Sequence, residues 1–229
     1  MNSAQICEAS MCFMNCALEK KKSKCAERFE EICAIYNYPL ELSSKMKKTP
    51  AEHDVKFLFG DLHFRLALEK ATCAYLAKNE EYAEMLNHDQ LWSHYSESAS
   101  FPSMEEDLIS FPPTFRFVKG TSNYDLESSS PAWCDRILWS TNNHVKSVKY
   151  SSVESIQHSD HKPIYGIYSI RFTDQQDSAN KNESSNSSPG FEQVTAEETK
   201  HPVQSPEESE CRVTTLESFI DVAGTNGKF

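Results

Sequence analysis

Pro131-Ala132-Trp133-Cys134-Asp135-Arg136-Ile137-Leu138 and, a little downstream, Ser159-Asp160-His161-Lys162-Pro163 bound the stretch of sequence that decides the fold. Each segment joins polar residues to an apolar run: Ile137-Leu138-Trp139 follows Asp135-Arg136, and residues 164–170 follow Asp160-His161. Such runs read as strands, so the spacing predicts two carboxylates and an imidazole at the ends of neighbouring strands. A histidine flanked by aspartates can be held in one tautomer by one of them and kept cationic near neutral pH. That arrangement suits the stabilisation of an anionic transition state. An ion-paired surface turn would use the same residue types, because Asp and His are common in loops.

Working outward, Val55 to Phe59 reads as a strand ending at Gly60-Asp61. The glycine permits a tight turn there and projects Asp61 into a cleft. Residues 11–16 read as a buried strand. Residues 24–35 form an amphipathic helix with Cys25, Phe29, Ile32 and Cys33 on its apolar side. Residues 37–53 read as a polar connection, 66–87 as two helices broken near Asn79, 93–107 as a surface loop and 115–118 as a strand.

The chain has 229 residues, enough for one sizeable core, but only 38% are hydrophobic, which points to an unpacked portion. That portion is 173–229, rich in Ser, Asn, Glu and Pro. Its 11 acidic and 4 basic residues place −7 of the total charge of −11 there. Such a composition cannot offset chain entropy, so the tail is expected to be disordered, with helical spacing only at residues 213–222. The acidic balance argues against nucleic acid as a partner. The eight cysteines show no CxxC pairing, which suggests reduced thiols in a cytoplasmic protein rather than a zinc site. No run is long enough for a transmembrane segment.

The tryptophan-bearing segment resembles one signature motif of the inositol polyphosphate 5-phosphatases. Phe59-Gly60-Asp61-Leu62-His63-Phe64-Arg65 resembles the other, and Ser159-Asp160-His161-Lys162-Pro163 their closing motif. Three motifs in order over about a hundred residues are far more specific than any one short pattern. His88-Asp89-Gln90-Leu91 resembles the family's Asp-Gln-Leu loop, and Phe111-Pro112-Pro113-Thr114 looks nearest to its skeletal-muscle and kidney enriched branch.

The resemblance implies an α/β four-layered sandwich of the deoxyribonuclease-like type. Residues 10–172 would be the incomplete C-terminal half of the catalytic domain, followed by the disordered tail. It implies Asp61 as the carboxylate that activates water, and His161, oriented by Asp135, as the group that stabilises charge on the phosphoryl oxygens. Arg116, Arg136 and Lys162 would be substrate contacts, with ion pairing inside the fold the competing role for Arg136 and Lys162. Asp160, with Asp61, would hold Mg²⁺ in a site lacking its upstream glutamate.

Against the family pattern, Ala17 stands where a histidine contacts phosphate and His63 where an asparagine positions water. Phe115-Arg116 replaces a Tyr-Lys pair, and Ser128-Ser129-Ser130 offers no second base. The implied activity is Mg²⁺-dependent hydrolysis of the 5-phosphate of a phosphoinositide or soluble inositol phosphate, with transient membrane-surface contact. The alternative is a catalytically impaired binding or regulatory module. The acidic charge and the tryptophan motif argue against a nuclease of the same superfamily.

Overall fold

The computed structural model describes residues 2–6, 9–43, 46–95, 101–142, 144–171 and 214–220. The larger sheet has five strands in the order β1 (Asn2–Ile6), β2 (Ala9–Ala17), β5 (Val55–Asp61), β7 (Asp135–Ser140) and β6 (Met104–Glu105). A second sheet orders β10 (Thr214–Ile220), β9 (Ile164–Ile170) and β8 (Val145–Ser152). A small hairpin of β3 (Leu40–Ser43) and β4 (Met46–Lys48) lies inside the stretch read as a polar connection.

Period-two alternation explains how the sheets stack. On β5 and β7, Val55, Phe57, Ile137 and Trp139 turn toward the smaller sheet and join Ile164, Tyr168 and Ile170 in one core. Phe57 and Trp139 sit 5.0 and 5.1 Å, centroid to centroid, from Tyr168. The intervening residues Leu58 and Leu138 turn the other way and pack with Cys12, Met14, Phe29 and Ile32. Phe29 and Ile32 belong to α1 (Cys25–Tyr36), which covers the outer side of the larger sheet. Because both faces of β7 are covered, all six of its residues are buried.

The helical stretch resolves as predicted into α2 (Lys70–Lys78) and α3 (Tyr82–Leu86), separated at Asn79. Three expectations are corrected. Residues 115–118 form no strand: after Pro112-Pro113 the segment makes only single bridges, Phe115 with Ala132 and with His161, and Phe117 with Tyr124. The stretch read as a surface loop contains β6, the end of α4 (Gln90–Tyr95) and the buried Met104. Residues 214–220, read at helical spacing, form strand β10, antiparallel to β9. The other residues of the tail read as disordered lie outside the described residues.

Candidate active site

The site forms where three strand ends meet. β5 and β7 run antiparallel with Asp61 opposite Asp135, so the last residue of one strand and the first of the other share one end of the larger sheet. His161 comes to the same place from the other sheet, three residues before β9. The sequence placed the imidazole on a neighbouring strand; the fold instead brings it across from the facing sheet.

Gly60 makes the Asp61 end possible. Its φ of +131° is open to glycine, and a Cβ there would lie 2.0 Å from the Cys16 carbonyl oxygen on β2. The Asp61 carbonyl then accepts from the Leu18 N–H at 3.1 Å, fastening the ends of β2 and β5 together.

His161 Nδ1 lies 3.0 and 3.2 Å from the two oxygens of Asp135, as expected of an orienting aspartate. Asp135 is fully buried and also accepts a 2.7 Å bond from Thr114 Oγ1, an orienting contact that the sequence did not disclose. His161 Nε2 points toward Asp61, 3.9 Å from its Oδ2. Burial alone would depress the pKa of His161, but the hydrogen bond and charge of Asp135, with the charge of Asp61, outweigh it and raise it above 6.5. For Asp61 burial acts upward. The hydrogen bond from His63 and the positive fields of His161 and Arg65 overcome it and hold the carboxyl below its ordinary range.

His63 is the departure with the most direct chemical consequence. It sits at φ +53°, in the left-handed region that Asn, Asp and His enter more readily than other side chains. From there its Nε2 reaches Asp61 Oδ2 at 2.9 Å, and its Nδ1 is buried with no hydrogen-bond partner. That oxygen of Asp61 is thus already engaged. Ala17 pairs with Asp61 across β2 and β5 and is exposed, offering no polar group at the position where the resemblance expects one.

Of the residues expected to contact substrate, Arg116 lies near the site, 38% exposed, with its Nε 3.3 Å from both Asp125 and Asp160. Arg136 does not reach the cleft. It is fully buried on the opposite side of β7, where it donates to Asp89 at 3.0 Å and to Glu106 at 2.7 and 2.5 Å. Lys162 is also turned inward, 2% exposed, with Nζ 3.1 Å from the Ile156 carbonyl and 4.7 Å from the Phe117 ring centroid. Arg65, quoted within a motif but assigned no role, stands beside the site with its guanidinium 4.2 Å over Phe115. The Phe115 ring in turn lies 4.5 Å from His161.

Asp61, Asp135 and His161 bring one ligand atom each within 4.8 Å of one another. Asp160 is directed to Arg116 instead. Magnesium favours near-octahedral oxygen ligation. Here one donor is a nitrogen, Asp135 is occupied by Thr114 and His161, and Asp61 Oδ2 by His63. This set does not fit a magnesium ion as a complete site.

The raised pKa of His161 carries a stability consequence. Its ion pair with Asp135 contributes fully below pH 6.5 and is lost as pH rises through the higher folded-state pKa. The stability gap between the wild type and His161→Gln in urea unfolding should therefore shrink toward alkaline pH. A gap that widens with pH would contradict the assignment.

Residues 1–167 match the endonuclease/exonuclease/phosphatase family 2. The chain is 36% identical over 124 residues to the phosphatidylinositol 4,5-bisphosphate 5-phosphatase INP51 of Saccharomyces cerevisiae, covering 53% of this chain and 13% of that protein. It is 29% identical over 172 residues to the type II inositol 1,4,5-trisphosphate 5-phosphatase of Mus musculus, covering 72% of this chain and 17% of that protein. Among solved structures it is similar to the inositol polyphosphate 5-phosphatase domain of a synaptojanin in complex with inositol (1,4)-bisphosphate and calcium ion. The TM-score is 0.63 at 29% identity, over 70% of this chain and 47% of that one. Cimex nitrophorin, at 20% identity and a TM-score of 0.58, shares the fold. The chain thus spans less than half of the synaptojanin domain and a smaller share of the two enzymes. With matching motifs, strand-end site and layered sheets, the chain belongs to the endonuclease/exonuclease/phosphatase family 2 and is similar, within it, to inositol polyphosphate 5-phosphatases.

Proposed function

We propose that the chain acts on the 5-phosphate of phosphoinositides or soluble inositol phosphates, with the Asp61, Asp135 and His161 cluster as its reacting site. The observation that carries this reading is the orientation of His161: Nδ1 on Asp135, Nε2 turned toward Asp61. A phosphate at the open side of this pair would accept from the cationic His161 N–H, while the ionised Asp61 faces the water that attacks it. His161 stabilises charge on the phosphoryl oxygens, and Asp61 orients water and takes its proton. The names of the relatives supply the substrate class.

The family is of the metal-dependent type, and the similar synaptojanin domain was crystallised with calcium. Magnesium is the ion the sequence motifs suggest, but no step is assigned to it, because the donors present do not complete its site. No helix among the described residues is long and apolar enough to cross a membrane. A cytoplasmic protein making transient contact with a lipid surface accords with that.

A second reading, a binding or regulatory module with little turnover, is favoured by one contact: His63 on the Asp61 oxygen that water would use. Product analysis tests the reaction proposed. Inositol 1,4,5-trisphosphate incubated with the purified chain should yield inositol 1,4-bisphosphate. Loss of the 1- or 4-phosphate instead would show a different regiochemistry and overturn the assignment.

A further inference from the structure

We propose that the turn at residues 117–126, beside the His161 site, docks on an anionic lipid bilayer. The choice of a lipid as partner rests on the phosphoinositide reading given above. The surface itself rests on the residues of the turn. Val118 and Leu126 are 48% and 39% exposed, two large apolar side chains in one short segment. Lys119, next to Val118, is exposed and pairs with no acid among the described residues. An apolar side chain held in water next to a free cation is the combination an interfacial site uses, the first for the acyl boundary and the second for anionic headgroups.

The local charge favours this partner against the balance of the whole chain. Of its 229 residues 34 are acidic, yet residues 108–124 contain no acid and two bases, Arg116 and Lys119. Asp125 and Asp160, beside the turn, each lie 3.3 Å from Arg116 Nε and are neutralised by it. Glu127, the next acid along the chain, follows Leu126 where Lys70 Nζ donates to the Glu127 carbonyl at 2.5 Å. The side chains that stand free on the turn are therefore apolar, neutral or cationic.

The turn is also fixed in shape before it meets any surface. The Val118 N–H donates to the Asn123 carbonyl at 2.8 Å, and the Thr121 N–H to the Val118 carbonyl at 3.1 Å. Below them Phe117 and Tyr124 stack with ring centroids 4.5 Å apart, and the Tyr124 hydroxyl donates to the Pro113 carbonyl at 2.9 Å. The Gln157 carbonyl accepts the Gly120 N–H at 2.6 Å, and the Gln157 amide donates to Ser122 Oγ at 2.8 Å. Lys162 forms the base. With no ion pair among the described residues, its buried ammonium lies 3.4 Å from the Thr121 carbonyl and 3.1 Å from that of Ile156. A buried cation directed at backbone carbonyls fixes a loop rather than a ligand, which gives Lys162 a role outside the cleft. Side chains carried on a fixed turn lose less freedom on docking than those on a mobile one.

Its placement gives the contact a use. The Phe117 N–H donates to the carbonyl of Asp160, the residue before His161, at 2.9 Å, and the Phe115 ring lies 4.5 Å from the His161 ring. Val118 follows Phe115 by three residues, at most about 10 Å of extended chain. A bilayer touching Val118 and Lys119 therefore brings its headgroups to the mouth of the site.

The test is sedimentation of the full chain with vesicles of phosphatidylcholine alone and of phosphatidylcholine with phosphatidylserine. Neither contains a phosphoinositide, so the reacting site contributes nothing specific. The proteins compared are the wild type, the double variant Val118→Ser/Lys119→Ser and the variant Val118→Phe. Both positions are exposed, so the variants should fold normally, with an unchanged thermal midpoint as the check. The wild type is expected to bind the phosphatidylserine vesicles more tightly than the neutral ones. The double variant should bind them at least about fivefold more weakly, the effect of one lysine at an anionic surface. Val118→Phe, with more apolar area to bury, should bind more tightly than the wild type.

Absence of wild-type binding to the phosphatidylserine vesicles, equal binding by the double variant, or no gain in Val118→Phe would overturn the docking surface. Phosphate release from soluble inositol 1,4,5-trisphosphate, expected to be the same in all three proteins, separates the two readings. Release without vesicle binding leaves the proposed function standing and removes the surface. Vesicle binding that depends on the turn, without release, keeps the surface and removes the reaction.

Discussion

Arg136→Ala is expected to destabilise the fold by about 3–5 kcal/mol, the usual cost of removing one partner from a buried ion pair. Arg136, Asp89 and Glu106 form a charge cluster beneath β7, with the Arg136 and Asp89 side chains completely buried. Tyr150 and Trp92 add hydrogen bonds to Glu106 at 2.9 and 2.8 Å, and the Leu91 N–H donates to Asp89 at 3.2 Å. Removing the guanidinium leaves carboxylates out of water with no cation. Burial already pushes the Asp89 pKa upward, and the charge of Arg136 is the main opposing influence. Chemical denaturation of wild type and variant measures the effect. A loss below about 1 kcal/mol, the range of an exposed ion pair, would mean that the cluster is open to solvent.

Asp61→Ala should lower phosphate release by about 10²–10⁴, the range that a positioned general base contributes. The same side chain accepts from His63 and faces His161, so its loss removes the acceptor for the water's proton and one anchor of the cleft. His161→Ala should cost a comparable factor, and the double variant little more than either single one, because the two residues act on one transition state. Retention of more than about a third of the wild-type rate in Asp61→Ala would place the chemistry elsewhere.

The pairing of Asp135 with His161 was legible because each residue sits at the edge of a run apolar enough to be a buried strand. Neither spacing nor motif order told that the two runs belong to facing sheets rather than to neighbouring strands of one sheet. The role of Arg136 was legible in principle from alternation. Successive residues on a strand point to opposite faces, so an Asp135 turned into the cleft sends Arg136 to the other side of the sheet.

Its partner Glu106 carried no such signal. It lies in a polar stretch where only long-range packing marks one acid as structural. Residues 214–220 could be read with either period, since Leu216, Ser218 and Ile220 alternate as readily as Leu216, Phe219 and Ile220 recur at helical spacing. Pairing with β9 decides between them. Arg65 was passed over because nothing local distinguishes it. Its contacts are long-range, with the Phe115 ring and, through Gln90, with a turn more than forty residues upstream.

The central claim is that a phosphoesterase site is assembled at Asp61, Asp135 and His161 and restrained by His63. It is tested most directly by the rate of phosphate release from inositol 1,4,5-trisphosphate in His63→Asn. Asparagine tolerates the left-handed backbone at φ +53°, and its shorter side chain withdraws the ring from Asp61 Oδ2, freeing that oxygen for water. Repositioning of a reacting group by about an ångström is worth up to about a hundredfold. The account predicts a rise of about ten- to a hundredfold over the wild type that disappears when Asp61→Ala is added. An unchanged or lower rate in His63→Asn would contradict it.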